Sequence, residues 1–316
     1  MSRYARQIVL PEVGAEGQAR LAGARVLVVG AGGLGVPVLL YLAGAGVGRI
    51  TLVDADRVAE HNLHRQPLYR MEQIGQPKVY AAEQSLAMLN PEVQVAAVAD
   101  WLDPSNAPAL VAASDVVLDC ADTFAASLTL SDACRDAGKP LITASALALS
   151  GYVAGCCGPA PSLRAIFPDL PERGATCATA GVMGPVVGAI GALQAQMALA
   201  VLLGITPSPL GRLVSLDAAR WRMGGFRFDK APEPAHPLLF IARNQTRADD
   251  LLIDLRAEVP PFPGARHIPP EGMAALTPPE KGRIVLACTT GLRAHNAGQI
   301  LQNRWPGEIA LLAVPD

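Results

Sequence analysis

The stretch that most constrains the fold of this chain lies between residues 25 and 56, where two apolar runs flank a glycine-rich turn and an uncharged segment. The runs Val26–Val29 and Arg49–Val53 are short enough to be buried strands, and Val36–Ala45 between them is predicted to be helical. A strand, a helix and a second strand in this order form one unit of a parallel sheet. The stretch therefore predicts an α/β fold.

The turn and the acid that follows the second strand predict a nucleotide site of the Rossmann type. Glycines let backbone N–H groups approach a phosphate at a helix N-terminus, where the helix dipole favours negative charge. Asp54 stands where an acidic side chain typically holds a ribose hydroxyl. The alternative is that the glycines serve only the turn, and the pattern does not specify the nucleotide. The turn glycines are Gly30, Gly32, Gly33 and Gly35.

Polar residues downstream of the second strand favour a triphosphate over a dinucleotide. Ligands bind at the carboxyl edge of an open α/β sheet, and Asp56, Asn62, Arg65 and Lys78 follow a strand that ends there. A nicotinamide dinucleotide has no evident need for this Arg and Lys, whereas a nucleoside triphosphate does, because its charge must be neutralised as the α-phosphate is attacked. An NAD-dependent oxidoreductase remains the alternative from another enzyme class.

Asp122 is the candidate magnesium ligand. It follows the predicted strand Val116–Cys120, again at the carboxyl edge, and a carboxylate beside a triphosphate is a natural Mg²⁺ ligand. A helix N-cap is the other interpretation of the same residue. His61 and His64 lack further ligands at suitable spacing, so we expect surface or turn histidines there.

Composition narrows the class of protein. The length of 316 residues predicts about two domains, and a content of 51% hydrophobic and 17% charged residues predicts large cores. The net charge of −2 gives no indication of the basic surface that nucleic-acid-binding domains usually have. Six cysteines without regular spacing favour a reducing, cytoplasmic environment. The start lacks the apolar segment of a signal peptide. Two uncharged stretches, Gly30–Gly48 and Gly181–Ile205, are interpreted as core elements rather than membrane spans.

Two cysteines outside the first predicted unit stand before helices. Cys177 lies in a proline-rich loop shortly before the apolar helix, where a thiol can have a lowered pKa and be nucleophilic; an inert thiol is the alternative. Cys288 directly follows the predicted strand 283–287, and a short loop with Gly291 and Arg293 separates it from a helix. Backbone N–H groups of such a loop can cradle a thiolate, which suits a persulfide carrier. A structural cysteine is again the alternative.

The predicted organisation is a mostly parallel sheet with an antiparallel extension near Tyr152–Cys157, followed by a smaller domain. The first domain covers residues 1–230, a proline-rich linker covers 231–238, and the second domain covers 239–316. In the second domain, 251–256 and 283–287 are predicted to be parallel strands.

Seven motifs in order resemble the MoeB/ThiF/HesA family of adenylating enzymes, bacterial relatives of ubiquitin-activating enzymes. They are R-Y-A-R-Q, G-A-G-G-L-G, D-A-D, N-L-H-R-Q, G-Q-P-K, L-D-C-A-D and C-A-T-A-G-V-M-G-P, within residues 3–228. The tail is similar to a short rhodanese domain, through D-L-R at 254–256, G-A-R-H-I-P at 264–269 and C-T-T-G-L-R at 288–293.

The resemblance implies Mg-ATP-dependent adenylation of the C-terminal glycine of a ubiquitin-like sulfur carrier ending in Gly-Gly, then sulfur transfer from a donor such as a cysteine desulfurase. It implies that Arg6 reaches the ATP of a partner subunit in a homodimer, that Cys177 engages the activated carrier and that Cys288 carries persulfide. The nucleotide would lie against the glycine turn, with Asp54 on the ribose and Asp122 on Mg²⁺. Arg65 and Lys78 would bind the phosphates, Asn62 would line the same site, and Asp56 would be a further cofactor-binding residue.

Departures from the family pattern temper these expectations. Ser162 and Ala165 stand where a zinc-binding cysteine pair occurs in many members, and the second pair has no counterpart near 228–237, so we expect no zinc. The usual family motif T-D-N-x-x-x-R reads A-D-T-F-A-A-S here, so Thr123 replaces the Asn and Ser127 replaces the Arg. Ser131 replaces a further Asn of the family, four residues later. Adenylation of a different carboxylate or peptide, and a carrier-binding scaffold with reduced activity, are the remaining alternatives.

Overall fold

The structure, a computed structural model, describes residues 2–171, 180–256 and 262–314. Its first sheet is formed by β1 (Arg25–Val29), β2 (Arg49–Val53), β3 (Gln94–Val98), β4 (Val116–Asp119), β5 (Pro140–Leu147), β6 (Ser150–Cys157), β7 (Arg212–Asp217) and β8 (Arg222–Arg227). The helices around it are α1 (Ala5–Ile8), α2 (Gly14–Gly23), α3 (Gly35–Ala45), α4 (Lys78–Leu89), α5 (Ala107–Ala112), α6 (Phe124–Asp136), α7 (Leu163–Ile166) and α8 (Gly184–Leu203).

The strand order of this sheet is β3-β2-β1-β4-β5-β6-β7-β8. Strands β3 to β5 are parallel, and each pair from β5 to β8 is antiparallel. This confirms the predicted Rossmann-like, mostly parallel sheet with an antiparallel extension. Because the chain moves outward from β1 to β2 and β3 and then returns to β4, a crevice opens between the loops after β1 and β4, which is where open α/β sheets bind ligands.

Helix α8 packs against α3, β5 and β6. It begins at Gly184, three residues after Gly181, where the apolar stretch in the sequence begins. Met183 is its N-cap, and Pro185 lies in its first turn. Within the described residues it is the one helix long and apolar enough to cross a membrane, and half of its most apolar window is buried. The Gln194 amide in its middle is fully buried and donates to backbone carbonyls of β4 and β5. These contacts are those of a core helix.

A second sheet follows the linker, with strand order β11-β10-β12-β13-β9 and every pair parallel. Its strands are β9 (Leu239–Ile241), β10 (Leu251–Asp254), β11 (Arg266–His267), β12 (Arg283–Cys288) and β13 (Glu308–Ala313), and its long helix is α9 (Leu292–Gln302). The expected parallel pairing of residues 251–256 with 283–287 is seen between β10 and β12. The assignment of this unit as rhodanese-like, and the domain boundaries, stay predictions.

The D-L-R motif of this second unit is held by hydrogen bonds at the end of β10. Asp254 is fully buried, and its carboxylate accepts hydrogen bonds from the Arg256 guanidinium and from Phe262 N–H, at 2.9 and 2.8 Å. Burial disfavours its charge, but these donors outweigh burial and lower the pKa of Asp254. The Asp254 carboxylate therefore joins the end of β10 to the backbone of Phe262.

Candidate functional site

The turn after β1 can be formed only with glycine at two positions. Gly30 has a φ of +99°, and a side chain there would collide with the carbonyl of Cys120 in the loop after β4. A side chain at Gly35 would collide with the carbonyl of Gly30. The glycines thus bring the loops after β1 and β4 into contact and lead directly into α3, whose N-terminal N–H groups can receive a phosphate.

The two middle glycines face residues of the segment that follows β2. A Cβ at Gly33 would lie 3.7 Å from Cδ of Arg65, and one at Gly32 would lie 3.7 Å from Nε2 of Gln66. Gln66 is 2% exposed, and its Oε1 has no hydrogen-bond partner among the described residues. Buried polar atoms normally have a hydrogen-bond partner, so this buried amide oxygen could accept from a hydroxyl or amino group of a bound nucleotide. Sequence reasoning missed Gln66, although it belongs to the N-L-H-R-Q motif.

Asp54 fastens the glycine turn. Its Oδ2 accepts from Ala31 N–H and its Oδ1 from Asp56 N–H, both at 2.7 Å. Burial raises the pKa of the Asp54 carboxyl, while the charge of Lys78 and the two backbone donors oppose that shift. Each carboxylate oxygen has a second lone pair, so the geometry still allows Asp54 to accept hydroxyl groups from a ligand.

Lys78 begins α4 with a side chain only 6% exposed, and its Nζ lies 2.7 Å from Oδ2 of Asp56. The Asp56 side chain is 54% exposed. An ammonium held this way has little freedom and points a positive charge at the carboxyl edge of the sheet. A phosphate group that binds there would share Lys78 with Asp56.

Asn62 and Arg65 lie in the segment that covers the turn. Asn62 is buried, and its carbonyl accepts from the N–H groups of Arg65 and Gln66, which fixes the backbone of the segment. Arg65 Nη1 contacts the carbonyl of His61 at 3.1 Å and Nε2 of His64 at 2.9 Å. In the described part of the chain no three His, Cys, Asp or Glu residues are grouped as a metal site would require.

The structure separates the two interpretations of Asp122. Thr123, not Asp122, is the N-cap of α6, because its Oγ1 accepts from Ala126 N–H at 3.3 Å. The capping interpretation of Asp122 is therefore wrong. The Asp122 side chain is exposed in the loop after β4, beside the crevice. An exposed carboxylate oxygen is the hard donor that Mg²⁺ prefers, so the residue fits that ion.

Asp119, at the end of β4, is a second carboxylate that the sequence analysis missed. It is fully buried, and it accepts from Thr143 Oγ1 at 2.8 Å, from Ala121 N–H at 3.1 Å and from the Ser127 hydroxyl. Burial raises the pKa of Asp119 against these donors. On the other side of the loop, Gln194 Nε2 donates to the Asp119 carbonyl at 2.7 Å. Hydrogen bonds to the side chain and to the carbonyl of Asp119 therefore fix the start of the loop that carries Asp122.

The three departures from the family motif each have a structural partner. Thr123 caps α6, Ser127 donates to Asp119, and Ser131 Oγ accepts from Leu163 N–H at 3.0 Å. Ser162, at an expected zinc-ligand position, donates through N–H and Oγ to the Glu233 carboxylate, both at 2.6 Å. Hydrogen bonds thus join the loop before α7 to the linker, and the expected absence of zinc stays a prediction.

Arg6 lies far from this site in its own chain. The neighbouring Gln7 donates to the carbonyl of Ala45, and the Tyr4 ring packs over Gly46, so α1 is attached to the C-terminal end of α3. The glycine turn lies at the other end of this 11-residue helix, about 16 Å away at 1.5 Å per residue. Arg6 is exposed and does not join the site of its own chain.

Cys288 is the last residue of β12, and the predicted loop follows it. Its Sγ accepts from Ala294 N–H at 3.4 Å, and the residue is 2% exposed. Burial raises the pKa of the thiol, although the backbone N–H groups of the loop act in the opposite direction. Cys177 lies outside the described residues, so both interpretations of that thiol remain.

Sequence comparisons identify relatives that match about 70% of this chain. Adenylyltransferase and sulfurtransferase MOCS3 of Bos taurus is 47% identical over 228 residues, which cover 71% of this chain and 50% of that protein. The sulfur carrier protein adenylyltransferase of Thermus thermophilus is 45% identical over 226 residues, 69% of this chain and 83% of that protein. The sulfur carrier protein ThiS adenylyltransferase of Escherichia coli is 43% identical over 223 residues, 70% of this chain and 89% of that protein. The chain thus matches about half the length of its MOCS3 relatives.

The solved structure of Escherichia coli MccB has the same fold, with a TM-score of 0.66 over 74% of both chains at 22% identity. The sequence profile of the ThiF family matches residues 4–237, which contain the glycine turn, the Lys78–Asp56 pair and the Asp122 loop. The predicted resemblance is confirmed: this chain belongs to the ThiF family.

Proposed function

We propose that this protein uses ATP to adenylate the C-terminal glycine of a ubiquitin-like sulfur carrier ending in Gly-Gly. The proposal is supported by the placement of Arg65 beside Gly33, of Lys78 close to Asp54 and Asp56, and of Asp122 in the loop after β4, the strand that pairs with β1. Two cations and two carboxylates at one sheet edge suit a triphosphate better than a nicotinamide dinucleotide. Relatives named as sulfur carrier protein adenylyltransferases support the same choice.

In this proposal each element of the site has one task. The turn at Gly30, Gly32, Gly33 and Gly35 lies against the nucleotide, and Asp54 accepts the ribose hydroxyls. Asn62 lines the site, while Arg65 and Lys78, with Asp56 as the partner of Lys78, bind the phosphates. Asp122 holds Mg²⁺, which when bound neutralises phosphate charge.

The adenylation step follows from this charge distribution. A carboxylate oxygen of the carrier's terminal glycine attacks the α-phosphorus of ATP, and pyrophosphate leaves with the electron pair of the broken P–O bond. Negative charge grows on the departing phosphates, so the Arg65 guanidinium and the Lys78 ammonium stabilise the transition state more than the ground state. The product is an acyl-adenylate, a far better electrophile than the carboxylate.

We propose that sulfur then enters through Cys288. A donor such as a cysteine desulfurase converts its thiolate to a persulfide, whose terminal sulfur attacks the acyl carbon and expels AMP. The resulting acyl disulfide is cleaved when a thiolate, Cys177 or an external thiol, attacks the Cys288 sulfur and releases the carrier thiocarboxylate. The new disulfide is reduced by external thiol. The relative named as both adenylyltransferase and sulfurtransferase supports this step.

The proposal includes a cytoplasmic homodimer. Arg6 is exposed on α1, which Gln7 attaches to the C-terminal end of α3, and this position away from its own crevice suits a residue that serves the partner's ATP. Val9 and Leu10, which follow α1, and Tyr41 on α3 are apolar side chains that are at least half exposed, and a second copy would cover them. Neither a nucleic acid nor a membrane is part of the proposal.

ATP–pyrophosphate exchange tests the proposed function. Exchange that appears only when a ubiquitin-like carrier ending in Gly-Gly is added, and not with the same carrier lacking those glycines, is the expected result. ATP binding without exchange for any such carrier would favour the scaffold or another carboxylate substrate. Tight binding of NAD instead of ATP would overturn the assignment of the nucleotide.

A further inference from the structure

The first turn of α6 is completed by the C-terminal unit. The N–H groups at a helix start lack intrahelical acceptors and need partners from elsewhere. Thr123 Oγ1 serves Ala126 N–H at 3.3 Å, whereas Ala125 N–H donates to the carbonyl of Thr290 at 3.0 Å. Thr290 belongs to the loop after Cys288. One backbone hydrogen bond thus joins the cysteine loop to the helix that follows Asp122.

Close packing surrounds that hydrogen bond. Gly291 has a φ of +88°, and a Cβ there would lie 2.9 Å from the Ala125 Cβ and 2.6 Å from the Phe240 ring. Ala125 is 6% exposed and shares one apolar cluster with Leu128, Phe240 and Cys288. We call Ala125, Leu128 and the loop 289–293 the α6 seat. The small residues at 125 and 291 allow the two backbones to meet.

Contacts beyond the seat hold the same arrangement. Asn296 Nδ2 on α9 donates to the carbonyl of Pro171 at 3.0 Å, and Gln302 Nε2 donates to the linker carbonyl of His236 at 3.0 Å. The Glu233 carboxylate fastens the linker to Ser162. The C-terminal unit therefore contacts α6, the backbone at Pro171 and the linker, and is not attached by the linker alone.

Only three residues lie between the end of β4 and the α6 N-cap, and Asp122 is one of them. The β4 end of this loop is fixed by the buried Asp119 and by Gln194. The α6 end is fixed by the Thr123 cap and the seat. Loosening the seat would free one of the two ends that determine where the Asp122 carboxylate points.

We propose that the C-terminal unit is a working part of the adenylation site, because the α6 seat positions Asp122 for its metal. Ala125 and the loop 289–293 are positioning elements that act through Asp122, before any sulfur moves. The inference rests on the metal role of Asp122 in the proposed function. It gives the second unit a task that does not involve the Cys288 thiol.

The test compares Ala125→Leu, which forces bulk into the seat without adding charge, with Ala137→Leu, an exposed position at the other end of α6. We expect the apparent KM for Mg²⁺ in carrier-dependent exchange to rise about fivefold or more with Ala125→Leu, the change that losing one net hydrogen bond produces. Ala137→Leu should leave it unchanged. Hydrogen exchange of the backbone amide of residue 125 should be slow in the wild type and fast in the Ala125→Leu variant.

Calorimetric titration of Mg²⁺-ATP makes the outcome independent of the carrier. Weaker Mg²⁺-dependent ATP binding by Ala125→Leu supports the inference even if no carrier gives exchange, in which case only the proposed function fails. A folded Ala125→Leu with a fast-exchanging amide but unaltered Mg²⁺ dependence overturns the inference. If the Leu variant does not fold, Ala125→Val poses the same question with less bulk. A fast-exchanging Ala125 amide in the wild type would also overturn it.

Discussion

At the scale of single residues, the loop after β4 carries two carboxylates with opposite environments. Asp122 is exposed, and its position after a strand was enough to predict it as a ligand. Asp119 is fully buried and was missed, because its partners Thr143 and Gln194 come from β5 and α8, which are distant in sequence. The spacing of residues in the sequence identifies carboxylates at a strand end. Hydrogen bonds to residues distant in sequence decide which carboxylate is buried and supports the loop, and which is exposed to a ligand.

Asp119→Asn should reveal the buried charge through the pH dependence of stability. Because burial raises the pKa of Asp119, the folded chain holds this proton more tightly than the unfolded chain, whose Asp has a pKa of about 3.9. Its contribution to stability is complete below that value and is lost as pH rises through the folded pKa. The free energy of unfolding of the wild type minus that of the variant should therefore fall as pH rises above about 4.

Urea unfolding at a series of pH values measures this difference. Asp136→Asn, at the exposed end of α6, is the control for loss of one acidic side chain. A difference between wild type and Asp119→Asn that stays constant or grows with pH would show that the buried carboxylate is not destabilised by its surroundings.

At the scale of secondary-structure elements, the sequence predicted the first strand–turn–helix–strand unit and the antiparallel extension with boundaries close to those observed. Alternation of apolar and polar runs carries that information locally. It could not predict that α8 would place Gln194 across β4 and β5, since a lone amide in an apolar helix has no local signature. It also could not predict that Thr123 would cap α6, because Asp122 was an equally suitable cap residue.

Gln194→Leu should destabilise the fold by about 3 kcal/mol, because the carbonyls of Asp119 and Ile142 would lose their donor in a buried place. Gln196→Leu, on the exposed side of the same helix, should change stability by less than about 0.5 kcal/mol. Chemical denaturation of both variants measures the two effects. Equal effects would contradict the account of α8 as the support of the β4 loop.

The glycine turn gives a second prediction for an element. Gly35→Ala should abolish ATP binding and lower stability, because the added Cβ collides with the Gly30 carbonyl that shapes the turn. Gly44→Ala, in the same helix but with open space around its Cβ, should stabilise the protein by up to about 1 kcal/mol. Nucleotide titration and thermal unfolding distinguish them, and normal ATP affinity in Gly35→Ala would contradict the assigned role of the turn.

At the scale of the whole molecule, the family and the order of the two sheets agree with the sequence analysis, whereas the contact between them does not follow from it. Ala125 and Thr290 are separated by 165 residues, and nothing in either motif predicts that one amide meets the other carbonyl. The position of Arg6 likewise follows from the fold. The sequence motif that contains Arg6 was recognised, but the distance of Arg6 from the crevice of its own chain depends on where α1 packs.

Mixing variants tests whether Arg6 serves a second copy. Arg6→Ala and Asp122→Ala should each lack carrier-dependent exchange alone. If the two chains exchange subunits at equal concentrations, half of the dimers contain one intact site, so activity should return to about a quarter of the wild-type value. Subunit exchange is verified by a mass tag on one variant. No recovery in verified mixed dimers would place Arg6 in its own chain's reaction or outside the reaction.

The most direct test of the whole account is the intact mass of a Gly-Gly carrier after incubation with this protein, ATP, Mg²⁺ and a cysteine desulfurase with cysteine. We expect one oxygen of the carrier's terminal carboxylate to be replaced by sulfur, with AMP and pyrophosphate formed, and we expect omission of ATP or the change Cys288→Ser to prevent it. A carrier that keeps its original mass while ATP is bound and unconsumed would contradict the proposed adenylation and sulfur transfer.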